Sequence, residues 1–229
     1  MQYNSWLYLF PFLGGSLILY YLLPIKRRWI GLLFSSLLFY ILTMKSLVVV
    51  VLFTTATIYL GARVIEQFNE TFKLKKKELD RAARKELKNK TTTKIRYVIA
   101  FLCFINFGIL FVTKYFNFFG ENINALFNAL HIPAQIPFLN IFLPLGISFY
   151  TLSAISYVTD VARGVCKVER NYLRLLLFLI FFPVITEGPI SRYGQLGEEL
   201  KAEHRFDYKQ FCFGAQLITW GLFQKSTSF

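Results

Sequence analysis

Charge is scarce in this 229-residue chain, because only 17% of its residues are Asp, Glu, Lys or Arg while 55% are hydrophobic. A soluble domain is about 25% charged and roughly 45–50% apolar. The apolar residues also form long runs and lack the spacing of amphipathic helices. The composition therefore excludes an ordinary soluble domain. It predicts an all-α, polytopic bundle of transmembrane helices, with residues 1–229 in a single membrane domain.

Cysteine is also rare, and the three cysteines Cys103, Cys166 and Cys212 stand singly with no C-x-x-C spacing. This pattern favours apolar packing and gives no indication of a metal site or a disulfide framework. The net charge of +13 does not indicate nucleic acid, because the cations cluster at the ends of hydrophobic runs. There they set membrane topology and contact anionic headgroups, so we expect membrane lipids as partners and no nucleic acid.

Seven hydrophobic runs are candidates for crossing a membrane, for which about 20 apolar residues suffice. They cover residues 6–23, 29–44, 47–65, 97–116, 141–161, 172–185 and 211–223. The first run lacks a basic segment before it and is interpreted as a retained helix, not a cleaved signal peptide. Because the sixth run is broken and the last is short, we expect six to seven hydrophobic segments.

The distribution of cations predicts the orientation. Basic residues at 26–28 and eleven Lys or Arg within 73–96 are separated by two runs, whereas residues 117–140 contain none. The positive-inside rule then makes 66–96 a basic cytoplasmic loop and puts the N-terminus outside the membrane. This basic segment is either a solvated arm, with helical ion pairs, or a surface for anionic lipid headgroups.

One apolar run carries a polar stripe. At 100° per residue, a helix over 147–163 brings five polar side chains within an arc of about 120°. They are Tyr150, Ser153, Ser156, Tyr157 and Asp160. The stripe either holds helices together through hydrogen bonds or lines a polar cavity that admits substrate. Asp160 with Arg163 also has the spacing of a simple i,i+3 ion pair.

The run at 181–193 is interrupted where it should cross the membrane. Pro183 disrupts a helix and Gly188-Pro189 ends what remains, which predicts a broken or re-entrant helix near 181–191. Broken backbone at membrane depth needs protein or water around it. Glu187 either pairs with Arg192 or contributes to the wall of a functional cavity.

These segments resemble the membrane-bound O-acyltransferase family. The matching pieces are LPLGISFYT at 143–151, SYV at 156–158 with Asp160, FFP at 181–183, GPI at 188–190 with Arg192-Tyr193, and WGLF at 220–223 before Lys225. Together they follow the family's order and spacing, and they are most similar to the bacterial branch that O-acetylates alginate, peptidoglycan and other exported polysaccharides. The resemblance implies that the chain is the N-terminal half of this fold.

The resemblance also implies a chemistry. No cofactor is bound. A cytoplasmic acyl donor, acetyl-CoA in this branch, meets a hydroxyl of an exported polysaccharide, and an intramembrane histidine acts as general base. The acyl group then leaves on the outer face through an esterase-like extracytoplasmic partner. The polar stripe and the broken run supply the candidate substrate-passage residues: Tyr150, Ser153, Ser156, Tyr157, Asp160, Glu187 and Arg192.

The family's catalytic histidine would follow Phe229, so we expect a truncated chain with no catalytic residue and no acyltransferase activity of its own. His131 and His204 are predicted to be ordinary surface residues. The alternatives are D-alanyl transfer to teichoic acid within the same family, a transporter, or a non-catalytic membrane subunit. A transporter would show repeated spans, and residues 6–65 and 97–185 show no self-similarity.

Overall fold

The computed structural model describes residues 11–44, 48–76, 80–130, 132, 134–137, 146–185, 188 and 190–227. Throughout these residues the regular structure is helical, which confirms the predicted all-α class. The helices are α1 Leu13–Leu22, α2 Arg28–Met44, α3 Val48–Lys75, α4 Arg81–Lys114, α5 Phe116–Ala129, α6 Ile147–Arg163, α7 Tyr172–Ile180 and α8 Tyr208–Thr227. A 3-10 turn, Ile25–Arg27, precedes α2, and a π-helical turn, Tyr193–Gly197, follows α7.

Two helices, α3 with 28 residues and α4 with 34, are long and apolar enough to cross a membrane. They pack closely against each other, because a side chain at Gly61 in α3 would overlap Leu102 in α4. Both continue beyond their apolar parts into the basic segment. The segment 66–96 is therefore mostly helical, with α3 ending at Lys75 and α4 beginning at Arg81, instead of an open loop.

The other described helices do not settle the number of spans. The helices α2 and α6 have 17 residues each, α1 has 10 and α7 has nine. A span needs about 20 residues at 1.5 Å each. Helix α8 has 20 residues but is less apolar, so α3 and α4 are the two described helices that are both long and apolar enough to span, and the count of six to seven stays a prediction.

Helix α6 lies at the centre of the packing, against α3, α4 and α7. Its apolar residues are largely buried, as the exposed fractions of Ala154 (0%) and Val158 (1%) illustrate. Its polar stripe is largely buried as well. Neighbouring helices therefore cover α6 on both sides, and its hydroxyls must find their partners within the protein.

Candidate functional site

The broken run is observed directly. Asn171 caps the start of helix α7, because its side chain accepts a hydrogen bond from the Leu173 N–H. The helix ends at Ile180, three residues before Pro183. The Phe182 N–H then donates to Ser36 Oγ of α2 over 3.3 Å, and both groups are buried. A neighbouring helix thus satisfies backbone that the break releases, as non-helical backbone in an apolar environment requires.

The start of α6 packs against this break. Gly146 precedes α6 with a φ of 68°, a left-handed conformation that glycine adopts without strain. A Cβ at this position would overlap the carbonyl oxygen of Ile185. Gly146 belongs to the LPLGISFYT motif, and Ile185 lies in the broken run between the FFP and GPI motifs. The structure therefore brings this motif into direct contact with the broken run and explains the glycine of the motif.

The first polar centre is the tyrosine pair, Tyr40 of α2 and Tyr150 of α6. Tyr150 lies one turn after Gly146, and the side chains of Tyr40 and Tyr150 are 0% and 1% exposed. Their hydroxyls are close enough to interact. In this geometry neither hydroxyl makes a hydrogen bond to any residue that the structure describes. Buried hydroxyls without a partner are uncommon and need an explanation.

The second polar centre is the Glu169 cluster, made of Tyr157, Glu169, Tyr193 and Lys201. The Glu169 carboxylate accepts from the Tyr193 hydroxyl at 2.6 Å and pairs with Lys201 Nζ at 2.7 Å. Its own backbone N–H donates to the Tyr157 hydroxyl oxygen over 2.9 Å. The Asn171 N–H donates to the second carboxylate oxygen at 2.8 Å. Every polar group of this centre therefore has a partner.

The electrostatics of the cluster follow from these contacts. Burial of Glu169, which is 7% exposed, acts to raise the pKa of its carboxyl group. The hydrogen bonds from Lys201, Tyr193 and the Asn171 N–H outweigh this effect, so the pKa is lowered from its usual value. Burial and the adjacent carboxylate raise the pKa of Tyr193. At neutral pH the Glu169 side chain is therefore a carboxylate, and the Tyr193 hydroxyl keeps its proton.

The remaining predicted passage residues fall into different environments. Ser153 and Asp160 are buried, Ser156 is partly buried and Arg192 is exposed. Asp160 and Arg163 form no ion pair, so that prediction is wrong. The segment after α6 instead turns at Gly164, whose N–H bonds back to the carbonyl of Val161.

Two predicted positions lie outside the described residues, namely Glu187 and His131. His204 is exposed, as predicted, and its Nε2 lies 3.0 Å from the carbonyl oxygen of Glu199.

Sequence reasoning missed three members of these centres: Tyr40, Glu169 and Lys201. Tyr40 sits in an apolar run, where a tyrosine is usually taken as core. Glu169 and Lys201 sit among other charges in segments that looked solvated. Tyr193, in the motif that ends in Arg192-Tyr193, was the available signal. A buried phenol usually has a hydrogen-bond partner, so Tyr193 predicts a polar side chain beside it.

Comparison with known proteins gives the class of this protein. It is 30% identical to the probable alginate O-acetylase AlgI of Pseudomonas aeruginosa over 98% of the chain and 39% of that protein. It is 26% identical to the peptidoglycan O-acetyltransferase of Helicobacter pylori over 52% of the chain and 27% of that protein. With the teichoic acid D-alanyltransferase of Bacillus subtilis it shares 34% identity over 30% of the chain and 18% of that protein.

No protein-family model matches the chain, and no solved structure does. The chain spans less than half the length of the curated relatives it matches. These relatives nevertheless share one kind of activity by name, and the similarity to the P. aeruginosa protein extends over nearly the whole chain. The chain belongs to the membrane-bound O-acyltransferase family and is a membrane protein.

Proposed function

We propose that this chain forms part of a membrane O-acyltransferase that moves an acetyl group from cytoplasmic acetyl-CoA to hydroxyls of an exported polysaccharide. The observation that carries this proposal is similarity to an alginate O-acetylase over 98% of the chain. The close approach of Gly146 to Ile185 supports it, because it places the motif at 143–151 against the broken run that contains the FFP and GPI motifs.

Within this function, the tyrosine pair binds the polar end of a substrate. A phenol can donate to the carbonyl oxygen of an acyl group or accept from a sugar hydroxyl. Both hydroxyls of the pair are buried and lack a described hydrogen-bond partner, so a substrate group can bind them without breaking a bond within the protein. In an apolar environment such a bond also contributes more than it would in water.

The Glu169 cluster has a different role in this proposal. Its carboxylate already accepts three hydrogen bonds or ion-pair contacts, so it has little capacity left for a substrate. The cluster ties α6 to the segment after the break through the contact between Tyr193 and Tyr157, whose ring centroids are 4.7 Å apart. It therefore fixes the position of the helix that carries Tyr150.

The topology completes the proposal. The N-terminus lies outside and the basic ends of α3 and α4 lie in the cytoplasm, where the donor is found. The acceptor and an esterase-like partner act on the outer face. The chain passes the bacterial plasma membrane several times.

Among the described residues, no histidine lies where it could act as the general base. The sequence contains two histidines, and His204 is exposed beside Glu199. A general base must be within hydrogen-bond reach of the hydroxyl whose proton it removes, at a site closed from bulk water. We therefore infer that residues 1–229 alone transfer no acyl group.

A chimera tests the function. The chain replaces the aligned 39% of the P. aeruginosa alginate O-acetylase, and acetylation of the exported polysaccharide is measured in cells that lack the original protein. We expect acetylated polysaccharide from the chimera and none from residues 1–229 alone. A chimera that reaches the membrane at normal levels but leaves the polysaccharide unacetylated would contradict the proposal, as would activity of residues 1–229 alone.

Transfer of D-alanine to teichoic acid is not favoured. The similarity to the B. subtilis teichoic acid D-alanyltransferase covers only 70 residues, whereas that to the alginate O-acetylase covers 229. Teichoic acid and an activated D-alanyl thioester, supplied to the same chimera, provide the corresponding negative control.

A further inference from the structure

A cavity of about 540 Å³ lies where the basic parts of α3 and α4 meet the end of α6. Three cationic side chains line it: Lys88 and Arg96 from α4 and Arg163 from α6. No Asp or Glu is among its lining residues. The proposed function does not use this cavity, which lies away from both the tyrosine pair and the Glu169 cluster.

The three cations have no ion-pair partner among the described residues. Other cations nearby do, since Lys90 pairs with Glu86 at 2.6 Å and Arg170 pairs with Glu66 at 3.1 Å. Like charges that converge on one cavity repel each other unless an anion lies between them. The cavity is therefore complementary to a group of negative charge.

The other lining residues indicate which kinds of atoms that negatively charged group contains. The side chains of Thr91 and Thr92 supply hydroxyls beside the cations, which suits the oxygen atoms of a phosphate. Phe72 of α3 and Ile95 and Ile99 of α4 supply an apolar surface. From Tyr97 onward α4 becomes the apolar helix that crosses the membrane. The cavity thus lies at the boundary between basic and apolar helix, where lipid headgroups are found.

We propose that this cavity binds the phosphate of an anionic phospholipid, with Lys88, Arg96 and Arg163 on the phosphate and the apolar side chains against the adjoining glycerol and acyl carbons. A soluble phosphate compound would use the same cations but gain nothing from the apolar side of the cavity. The lipid holds the ends of α3, α4 and α6 together by screening three cations that otherwise repel. This site is independent of the proposed acyl transfer.

Lipid binding to the full chain tests the proposal. The protein is reconstituted in nanodiscs of equal parts phosphatidylcholine and phosphatidylglycerol, and the phosphatidylglycerol that stays bound is counted by native mass spectrometry. The cavity variant carries Lys88→Gln, Arg96→Gln and Arg163→Gln. The matched control carries Arg81→Gln, Arg84→Gln and Lys85→Gln, three exposed α4 positions that lose the same charge outside the cavity.

We expect the cavity variant to retain at least about tenfold less phosphatidylglycerol, since each basic side chain near an anionic headgroup contributes about fivefold. The control should stay within about twofold, because its cations do not line the cavity. Equal retention by the two variants would overturn the proposal. A third variant, Thr92→Trp, fills the cavity without a change in charge, and it should also lose the lipid while keeping the helical circular dichroism signal.

Soluble competitors identify the source of the phosphate. Inorganic phosphate and coenzyme A are titrated against the bound phosphatidylglycerol. We expect neither to displace it at millimolar concentration, whereas short-chain phosphatidylglycerol does. Displacement by inorganic phosphate would show a site for free phosphate, and displacement by coenzyme A would show a site for the acyl donor. Either result would overturn the assignment to a lipid.

Discussion

Helix α6 carries two polar centres of opposite character. Near its start, Tyr150 and Tyr40 bury two hydroxyls that have no described hydrogen-bond partner. Beyond its end, Glu169 buries a carboxylate that is bonded to Tyr193, Lys201 and the Asn171 N–H. Tyr150 and Tyr157, which belong to the two centres, are separated by about 10 Å along the helix axis. Helix α6 thus connects a centre whose hydroxyls lack described hydrogen-bond partners to a centre whose polar groups have them.

This difference predicts different roles for the two centres: the tyrosine pair binds substrate, and the Glu169 cluster stabilises the fold. A satisfied buried network makes one arrangement more stable than the alternatives, and removal of any partner leaves a charge or a donor exposed to apolar surroundings. A buried hydroxyl without a partner does not stabilise the fold, because no bond offsets its desolvation cost, and its replacement by an apolar group of the same shape is neutral to slightly stabilising. Substitutions at the Glu169 cluster should therefore change stability, and substitutions at the tyrosine pair should change function.

The largest effect is expected where α6 begins. Gly146→Ala introduces a Cβ that overlaps the Ile185 carbonyl oxygen at a φ of 68°, so the break and the helix must separate. We expect the free energy of unfolding to fall by about 3 kcal/mol or more. The measurement is thermal unfolding in detergent, followed by circular dichroism.

Gly164→Ala is the matched control at the other end of α6. Gly164 has a φ of 73°, but open space surrounds its Cβ position. The free energy of unfolding of this variant should fall by only about 1 kcal/mol, which is the cost of the left-handed conformation alone. Equal losses at the two glycines would show that contact between α6 and the break is unimportant.

The next effect is expected at Lys201. Lys201→Met removes the ammonium group from Glu169 and leaves a carboxylate that is 7% exposed without its ion pair. The expected loss in the free energy of unfolding is roughly 2 kcal/mol. Lys209→Met provides the control, because Lys209 is exposed and its side chain is not part of the cluster. A loss at Lys209 as large as that at Lys201 would contradict a supporting role for the cluster.

A smaller effect should depend on pH. Hydrogen bonds outweigh burial and lower the pKa of Glu169 in the folded protein below the ordinary value of 4.5. A lowered pKa contributes stability above the unfolded-state value, and this contribution is lost as pH falls through the folded-state value. The wild-type protein should therefore be more stable than Glu169→Gln at pH 7, and the difference should shrink as the pH falls below 4.5. A difference that grows on acidification would contradict the assigned hydrogen bonds.

Much of this arrangement could be predicted from particular residues. The long apolar runs predicted helices, Pro183 predicted the break, and the polar spacing from Tyr150 to Asp160 predicted one face of α6. The tyrosine pair could not be predicted, because Tyr40 and Tyr150 are 110 positions apart and only packing brings α2 beside α6. The prediction of an ion pair between Asp160 and Arg163 was wrong, because i,i+3 spacing permits a contact without requiring it. Glu169 was missed because a charge in a connecting segment is usually solvated.

The tyrosine pair supports the most direct measurement. Tyr150→Phe removes one hydroxyl from the unsatisfied centre, and Tyr193→Phe removes one from the Glu169 cluster. Both variants are made in the acetylating chimera, and acetyl transfer and thermal unfolding are measured for each. For Tyr150→Phe we expect at least about tenfold less acetyl transfer with a stability change within about 0.5 kcal/mol. For Tyr193→Phe we expect a clear loss of stability. Full acetyl transfer by a stable Tyr150→Phe chimera would show that the buried hydroxyls have no part in the reaction.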